Sequence, residues 1–304
     1  MNKFVITGAT SFLGKHIIKK LIEDDVQVFA IIRPSSKHVS DFDNEPKVKT
    51  ILSDMDDTEK WVKEIVEADY FIHLGWDGIG SNGRSDVQIQ QKNIETAVNV
   101  FKAAFRIHCK AFLFAGSQAE YGIKDEIITE DMVCNPVTQY GKAKLEVLNN
   151  ALTLINDLNM HYYHARIFSV YGYGDHEWTL VSTCIENLCN DKEVNLSSCE
   201  QFWNYIEVKD AVHQIISLLI SSAESGVYNI ASKDTRPLKS FVEEIYDICG
   251  KRGKMNFNCY QPAERPAELK PSIKKLENAI GEMQYCTFRE GITQLVNQYE
   301  LESD

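Results

Sequence analysis

The chain has 304 residues, 44% of them hydrophobic, and a formal net charge of −12. That length and apolar content can bury a large core in one domain or two unequal lobes, while the acidic balance argues against an extended nucleic-acid surface, which needs clustered Lys and Arg. No stretch approaches the roughly 20 apolar residues of a membrane span and the apolar run before Gly8 is too short for a secretion signal, so a cytoplasmic protein with no membrane or nucleic-acid partner is expected.

In chain order, residues 3–7 form a β-rich run ending in glycine, and Gly8 to Gly14 opens a helix with Leu13, Ile17, Leu21 and Ile22 at helical spacing. Residues 26–32 are a second β-branched run, which completes a βαβ unit. Further strands are expected at 48–52, 70–74, 111–115 and 163–167, with helices near 57–67, 87–107 and 139–158. Asp56 and Glu59 have capping-box spacing at the start of the first of these helices. The alternation implies an α/β fold, a Rossmann-type doubly wound parallel sheet covered on both faces. Ligands in such sheets sit beyond the carboxyl ends of the strands. Gly8, Arg33, Asp54, Gly75 and Ser117 all follow strand ends, so residues far apart in sequence converge on one crevice.

After residue 168 the alternation weakens. Tyr171-Gly172-Tyr173-Gly174 reads as a loop leaving the sheet, 178–204 mixes a helix with short polar strands, 208–221 reads as a helix and 227–230 as a strand that rejoins the sheet. Prolines punctuate the tail before a last helix opened by Thr287 and Glu290. The expected division is a dinucleotide-binding domain of residues 1–168 plus 206–233, and a smaller α/β substrate-binding lobe of residues 169–205 plus 234–304. The 8 cysteines are scattered, with Cys109, Cys184, Cys189 and Cys249 inside apolar patterns and no Cys-x-x-Cys. Reduced structural thiols are expected, and no metal site.

The segment Gly8-Ala9-Thr10-Ser11-Phe12-Leu13-Gly14 would be a dinucleotide fingerprint but for Ser11 in place of its second glycine. Its helix N-terminus offers free N–H groups to a pyrophosphate, and the Ser11 hydroxyl can donate to the same phosphate. An NAD site usually has an acid at the end of the second strand; here that strand runs into Arg33, Ser35 and Lys37. These groups suit a 2′-phosphate, so NADP(H) is predicted over NAD(H), with NAD(H) the alternative.

Tyr140 and Lys144 are four residues apart on an expected helix and so share one face. A tyrosine of pKa about 10 shuttles protons poorly at neutral pH, whereas a cation within roughly 4–6 Å stabilises its phenolate. Such a pair alone is more often plain surface; the glycine turn and Ser117 give it company.

Taken together these residues resemble the extended short-chain dehydrogenase/reductases, the NAD(P)-dependent nucleotide-sugar epimerase/dehydratase group. The resemblance runs through Thr7-Gly8 to Gly14, Asp54-Met55, Phe71-Ile72-His73-Leu74-Gly75, Asn93 with Ile94 and Thr96, Phe114 to Ser117 with Tyr121-Gly122, Asn135-Pro136 to Tyr140 and Lys144, and Arg166 to Gly172. It implies that Tyr140 is the general acid/base, that Lys144 lowers its pKa and also binds the cofactor ribose, and that Ser117 polarises the reacting oxygen. It adds Asp54, Met55, Leu74 and Gly75 to the cofactor site. It also implies a homodimer paired through the helices near 87–107 and 139–158.

The family's 4,6-dehydratases carry an Asp-Glu pair after the catalytic hydroxyl residue, where this chain has Gln118 and Ala119. Dehydration is therefore disfavoured. Because a reductase exchanges cofactor each turnover and commonly uses NADPH, Arg33 tips the expectation to an NADP(H)-dependent reductase of a nucleotide-diphosphate 4-keto-6-deoxy sugar, serving surface-polysaccharide synthesis. The alternatives are an NAD-dependent nucleotide-sugar 4-epimerase and a non-catalytic NADP-binding regulator. By resemblance Trp203 and Arg265 lie in the stretches that bind the nucleotide end of the substrate. Trp203 stands where an arginine is frequent, and either stacks on a base or sugar or packs in the core. Ser169 replaces a frequent asparagine near the sugar. Trp76, in the glycine-rich loop from Gly75 to Gly83, borders the expected sugar pocket.

Overall fold

In the computed structural model, residues 2–155, 159–261 and 267–303 are described. The first half runs β1 (Lys3–Thr7), α1 (Phe12–Glu23), β2 (Gln27–Ile32), β3 (Val48–Leu52), α2 (Thr58–Glu64), β4 (Tyr70–His73), α3 (Ser81–Ser85), α4 (Val87–Arg106), β5 (Ala111–Ser117), α5 (Gln139–Ile155) and β6 (His161–Ile167). The second continues with β7 (Ser169–Tyr171), α6 (Leu180–Cys189), β8 (Glu193–Asn195), β9 (Phe202–Glu207), α7 (Val208–Ile220), β10 (Gly226–Ile230), β11 (Thr235–Pro237), α8 (Leu238–Ile248), β12 (Lys254–Asn256), α9 (Lys274–Ile280) and α10 (Phe288–Ser303).

Among the described residues, seven strands pair in the order β10-β6-β5-β4-β1-β2-β3, every neighbour parallel. The fold is thus α/β with a Rossmann-like sheet, and β10 rejoins it beside β6 as expected. The near-continuous apolar strands are explained by burial on both faces: α1 and α7 cover one, through Ile17, Leu21, Val212 and Ile215, and α2, α4 and α5 cover the other, through Trp61, Val100, Phe101 and Val147. The chain runs outward from β1 to β3, then resumes on the other side at β4. The crevice at that reversal is where such sheets bind dinucleotides.

A smaller lobe carries a mixed sheet β11-β9-β7 and the pair β12-β8, packed with α6, α8 and α10 around Tyr205, Phe241 and Phe288. All but β9 of these strands have three residues, too short to show a period-two pattern; sequence reading expected short polar strands only within 178–204, and found neither β7, β11 and β12 nor α8. At α10 the expected cap is present: Thr287 N–H donates to Glu290 Oε2 at 2.8 Å, and Glu290 N–H to Thr287 Oγ1 at 3.2 Å. The Asp56–Glu59 capping box is not formed. Asp57, not Asp56, precedes α2 and makes no side-chain cap, and the Glu59 carboxylate pairs with Arg106 at the end of α4. Among the described residues no helix is long and apolar enough to cross a membrane.

Candidate active site

A cleft of ≈ 1520 Å³ opens over the carboxyl ends of β1 to β4. The expected cofactor residues Gly8, Thr10, Ser11, Phe12, Arg33, Ser35, Lys37, Asp54, Met55, Leu74 and Gly75 line it, and so does Trp76. Lys15, His16 and Lys19 on α1 line it as well, and sequence reading did not single them out.

The turn is built by close approach. Gly8 has φ +69°, and a Cβ there would meet Gly75 N at 2.7 Å, so only glycine fits both the conformation and the contact. Ser11 is the N-cap of α1: its Oγ accepts from Gly14 N–H at 3.1 Å, which leaves its own proton free to donate. The first-turn N–H groups of a helix have no intrahelical acceptor, and those of Phe12 and Leu13 are available to an anion. This donor set fits a pyrophosphate. Leu13 packs its side chain on the core, so any contribution it makes is through its backbone.

Ser117, Tyr140 and Lys144 come together beside the cleft. Ser117 ends β5, and α5 crosses close to the turn that follows, since a Cβ on Gly141 would meet Ala119 O at 2.5 Å. That approach brings the Tyr140 phenol near the Ser117 side chain. Lys144 is buried, donates from Nζ to Ala115 O at 2.7 Å, and lies 3.8 Å from the centre of the Trp76 ring and 5.6 Å from that of Tyr140. Trp76 also meets Tyr140 edge-on, with ring centres 6.2 Å apart. None of the three residues lines the open cleft, whereas Trp76 does.

The electrostatics depart from expectation. Burial pushes the Tyr140 phenol above its ordinary value, against the lowering effects of the Arg84 guanidinium and the nearby Ser117 side chain. Burial also lowers Lys144 to about 7, opposed by Glu120 and assisted by Arg84. A helical Tyr–Lys pair predicts a lowered phenol; removal from water outweighs that here. His73, beneath Lys144, is lowered to about 3 by burial and by Lys144, and is neutral at physiological pH.

Two features behind the site had no sequence signal. Glu120 is fully buried and its carboxylate accepts from Ser117 N–H at 2.7 Å, from Arg166 Nε at 2.7 Å, and bonds His164 Nε2 at 2.9 Å. Burial opposes its ionisation, but His164 and Arg166 outweigh that and hold the carboxyl below its ordinary value. The glycine-rich loop is tied down by α4: Gln90 accepts from Trp76 Nε1 at 3.0 Å and donates to Gly83 O at 2.9 Å, and Asn93 bonds both backbone groups of Asp77. This tie lays Arg84 across the Tyr140 ring, 4.1 Å from its centre.

The expected substrate residues are dispersed. Trp203 on β9 packs between the lobe core and a neighbouring cluster around Tyr121 and Phe168, and its buried Nε1 has no partner. Ser169 pairs with Tyr205 in the mixed sheet. Neither lines the cleft, and Arg265 lies outside the described residues.

The fold and sequence are similar to those of known proteins. The chain is 24% identical over 269 residues to dTDP-4-dehydro-6-deoxyglucose reductase of Escherichia coli, covering 84% of each. It is 25% identical over 272 residues to dTDP-6-deoxy-L-talose 4-dehydrogenase (NAD(+)) of Aggregatibacter actinomycetemcomitans, covering 84% of this chain and 94% of that one. Its fold matches UDP-glucuronic acid 4-epimerase from Bacillus cereus, solved with UDP-glucuronic acid and NAD, with a TM-score of 0.82 at 20% identity over 98% of this chain and 99% of the other. The model of the NAD dependent epimerase/dehydratase family matches residues 4–231. The chain belongs to that family, as an NAD(P)-dependent short-chain dehydrogenase/reductase enzyme that is either a reductase or an epimerase of nucleotide sugars.

Proposed function

We propose that the protein is an NADP(H)-dependent reductase acting at C4 of a nucleotide-activated 4-keto-6-deoxy sugar. The observation that carries this reading is the placing of Tyr140 near Ser117 beside the cleft, with the phenol held above its ordinary value by burial and so in its acid form at neutral pH. Reduction of a ketone requires a proton donor at the start, whereas epimerisation begins with a base. NADPH, when bound along the turn from Gly8 to Gly14, supplies the hydride. Ser117 donates a hydrogen bond to the ketone oxygen, Tyr140 delivers its proton there as negative charge develops, and Lys144 orients the cofactor ribose. Arg33, Ser35 and Lys37 would receive the 2′-phosphate. Gln118 and Ala119 offer no acid–base pair for loss of water.

The segments 169–205 plus 234–304 are assigned as the substrate lobe, with Trp76, Ser169, Trp203 and Arg265 toward the sugar nucleotide. A homodimer through α4 and α5 is part of the same reading. On α5, Leu152 is exposed while Leu148 is buried, so only the former is free for such an interface.

One observation favours a second reading, an NAD-dependent 4-epimerase. Asp77 faces Arg33 within the cleft and supplies the acid that a ribose 2′-hydroxyl would use. Incubation with NADPH and a panel of dTDP-, CDP-, GDP- and UDP-4-keto-6-deoxy sugars separates the two. Stoichiometric NADPH consumption with a 4-keto sugar supports the reductase; inversion at C4 of a nucleotide-diphosphate hexose that carries a C4 hydroxyl, incubated with NAD⁺ and with no net change of cofactor, supports the epimerase. Neither outcome, with tight NADP⁺ binding, would point to a non-catalytic regulator.

A further inference from the structure

We propose that Arg84 is a positioning residue for proton transfer: its guanidinium, laid on the face of the Tyr140 ring, stabilises the phenolate that remains when Tyr140 gives up its proton. The inference rests on the reading of Tyr140 as the proton donor, and adds a group that no part of that reading requires.

The geometry is specified locally. Gly78 and Gly83 approach so closely that a Cβ on Gly83 would meet Gly78 Cα at 2.3 Å. Arg84 N–H donates to Gly80 O at 3.0 Å, and Gln90 Nε2 holds Gly83 O at 2.9 Å. The short helix α3 therefore starts at a fixed place over α5, and Arg84 projects from it onto Tyr140. Among the described residues Arg84 has no ion pair, and its guanidinium carbon lies 4.1 Å from the centre of the Tyr140 ring. A guanidinium that is half-buried, unpaired and stacked on an aromatic face is strongly attracted to that ring. The attraction grows when the ring becomes anionic.

The other charged or titratable groups around Tyr140 do less. From α5, Lys144 stands 5.6 Å from the ring centre, turned to Ala115 O, and with a pKa lowered to about 7 it is only partly charged at neutrality. From the turn after β5, Glu120 disfavours the phenolate, while the Ser117 side chain at the end of β5 favours it. Trp76, from the loop after β4, does not titrate. Arg84 is the cation that lies on the phenol ring itself, 4.1 Å from its centre.

The test is an NMR titration of the protein labelled with [ζ-¹³C]tyrosine, in which Tyr140→Phe identifies the Tyr140 signal among 13 tyrosines. Arg84→Gln should raise the Tyr140 midpoint by about 1 pH unit, Arg84→Lys should recover part of that change, and Lys144→Gln should move it less than Arg84→Gln does. In turnover, the alkaline limb of the kcat/KM profile should move upward in Arg84→Gln with little change in KM. An unchanged midpoint in Arg84→Gln, or a wild-type phenol that does not ionise while the protein stays folded, overturns the proposal. If Tyr140→Phe retains activity, the reading of Tyr140 fails; if it is inactive while Arg84→Gln titrates like wild type, only the role of Arg84 fails.

Discussion

Arg33 Nη1 at the end of β2 donates to Asp77 Oδ1 at 2.9 Å in the loop after β4, so the pair bridges the two strands that flank β1 and crosses the crevice where a dinucleotide lies. Both side chains are about half exposed, and an exposed pair of this kind is worth about 0–1 kcal/mol. A 2′-phosphate can therefore compete with Asp77 for the guanidinium. Arg33→Ala should weaken NADP⁺ binding about 10-fold or more, the range for a charge-assisted hydrogen bond, and leave NAD⁺ nearly unchanged. Asp77→Asn should tighten NADP⁺ by up to about fivefold. Calorimetric titration of both nucleotides measures this; tighter NAD⁺ than NADP⁺ binding in the wild type would reverse the cofactor assignment.

Tyr140→Phe removes the donated proton while keeping the ring that Trp76 and Arg84 contact. Turnover should fall by about 10²–10⁴ with cofactor affinity little altered. Ser117→Ala should lower kcat by about 10²–10³, again without loss of cofactor binding. Steady-state rates paired with NADPH fluorescence titrations check both.

Lys144 makes stability depend on pH in a definite direction. Its ordinary value is 10.5 and its folded value is about 7, so between those limits the unfolded chain binds more protons and rising pH favours the folded state. Below about 7 the full penalty applies. The wild type should thus melt at a higher temperature at pH 9 than at pH 6.5, other groups being equal, and Lys144→Met should flatten that difference. Scanning calorimetry of the two proteins at both pH values provides the comparison.

Glu120 acts in the opposite window. Its folded value lies below the ordinary 4.5, so its contribution is present above that value and is lost as acid protonates the folded carboxylate. Glu120→Gln leaves Arg166 buried without its counter-charge and should cost about 3 kcal/mol or more. Urea melts should show a lower midpoint at pH 7 and a flatter loss of stability on acidification than in the wild type.

The dinucleotide half of the fold was readable because its strands are apolar and β-branched, its helices long, and its turns marked by Gly8, Gly14 and Gly75. Tyr140 and Lys144 announced a shared face through spacing alone. The lobe was less readable, since β7, β8, β11 and β12 have three residues each and derive their order from packing rather than pattern. Arg84 and Glu120 were invisible for another reason. Arg84 reaches Tyr140 only because Gln90 and two glycines shape the intervening loop, and Glu120 meets His164 and Arg166 only across the pairing of β5 with β6. The lowering of Lys144 had the same origin: spacing gave its neighbour, but only the packing of Trp76 and Phe114 around Nζ revealed how little water it keeps.

The most direct measurement follows the hydride itself. With NADPH deuterated at the transferable C4 position and a dTDP-4-keto-6-deoxy sugar, mass spectrometry and NMR of the product should find one deuterium at sugar C4 per NADPH consumed, and none of this with Tyr140→Phe. Deuterium confined to the cofactor, or equal incorporation by Tyr140→Phe, would contradict a reductase that protonates its product through Tyr140.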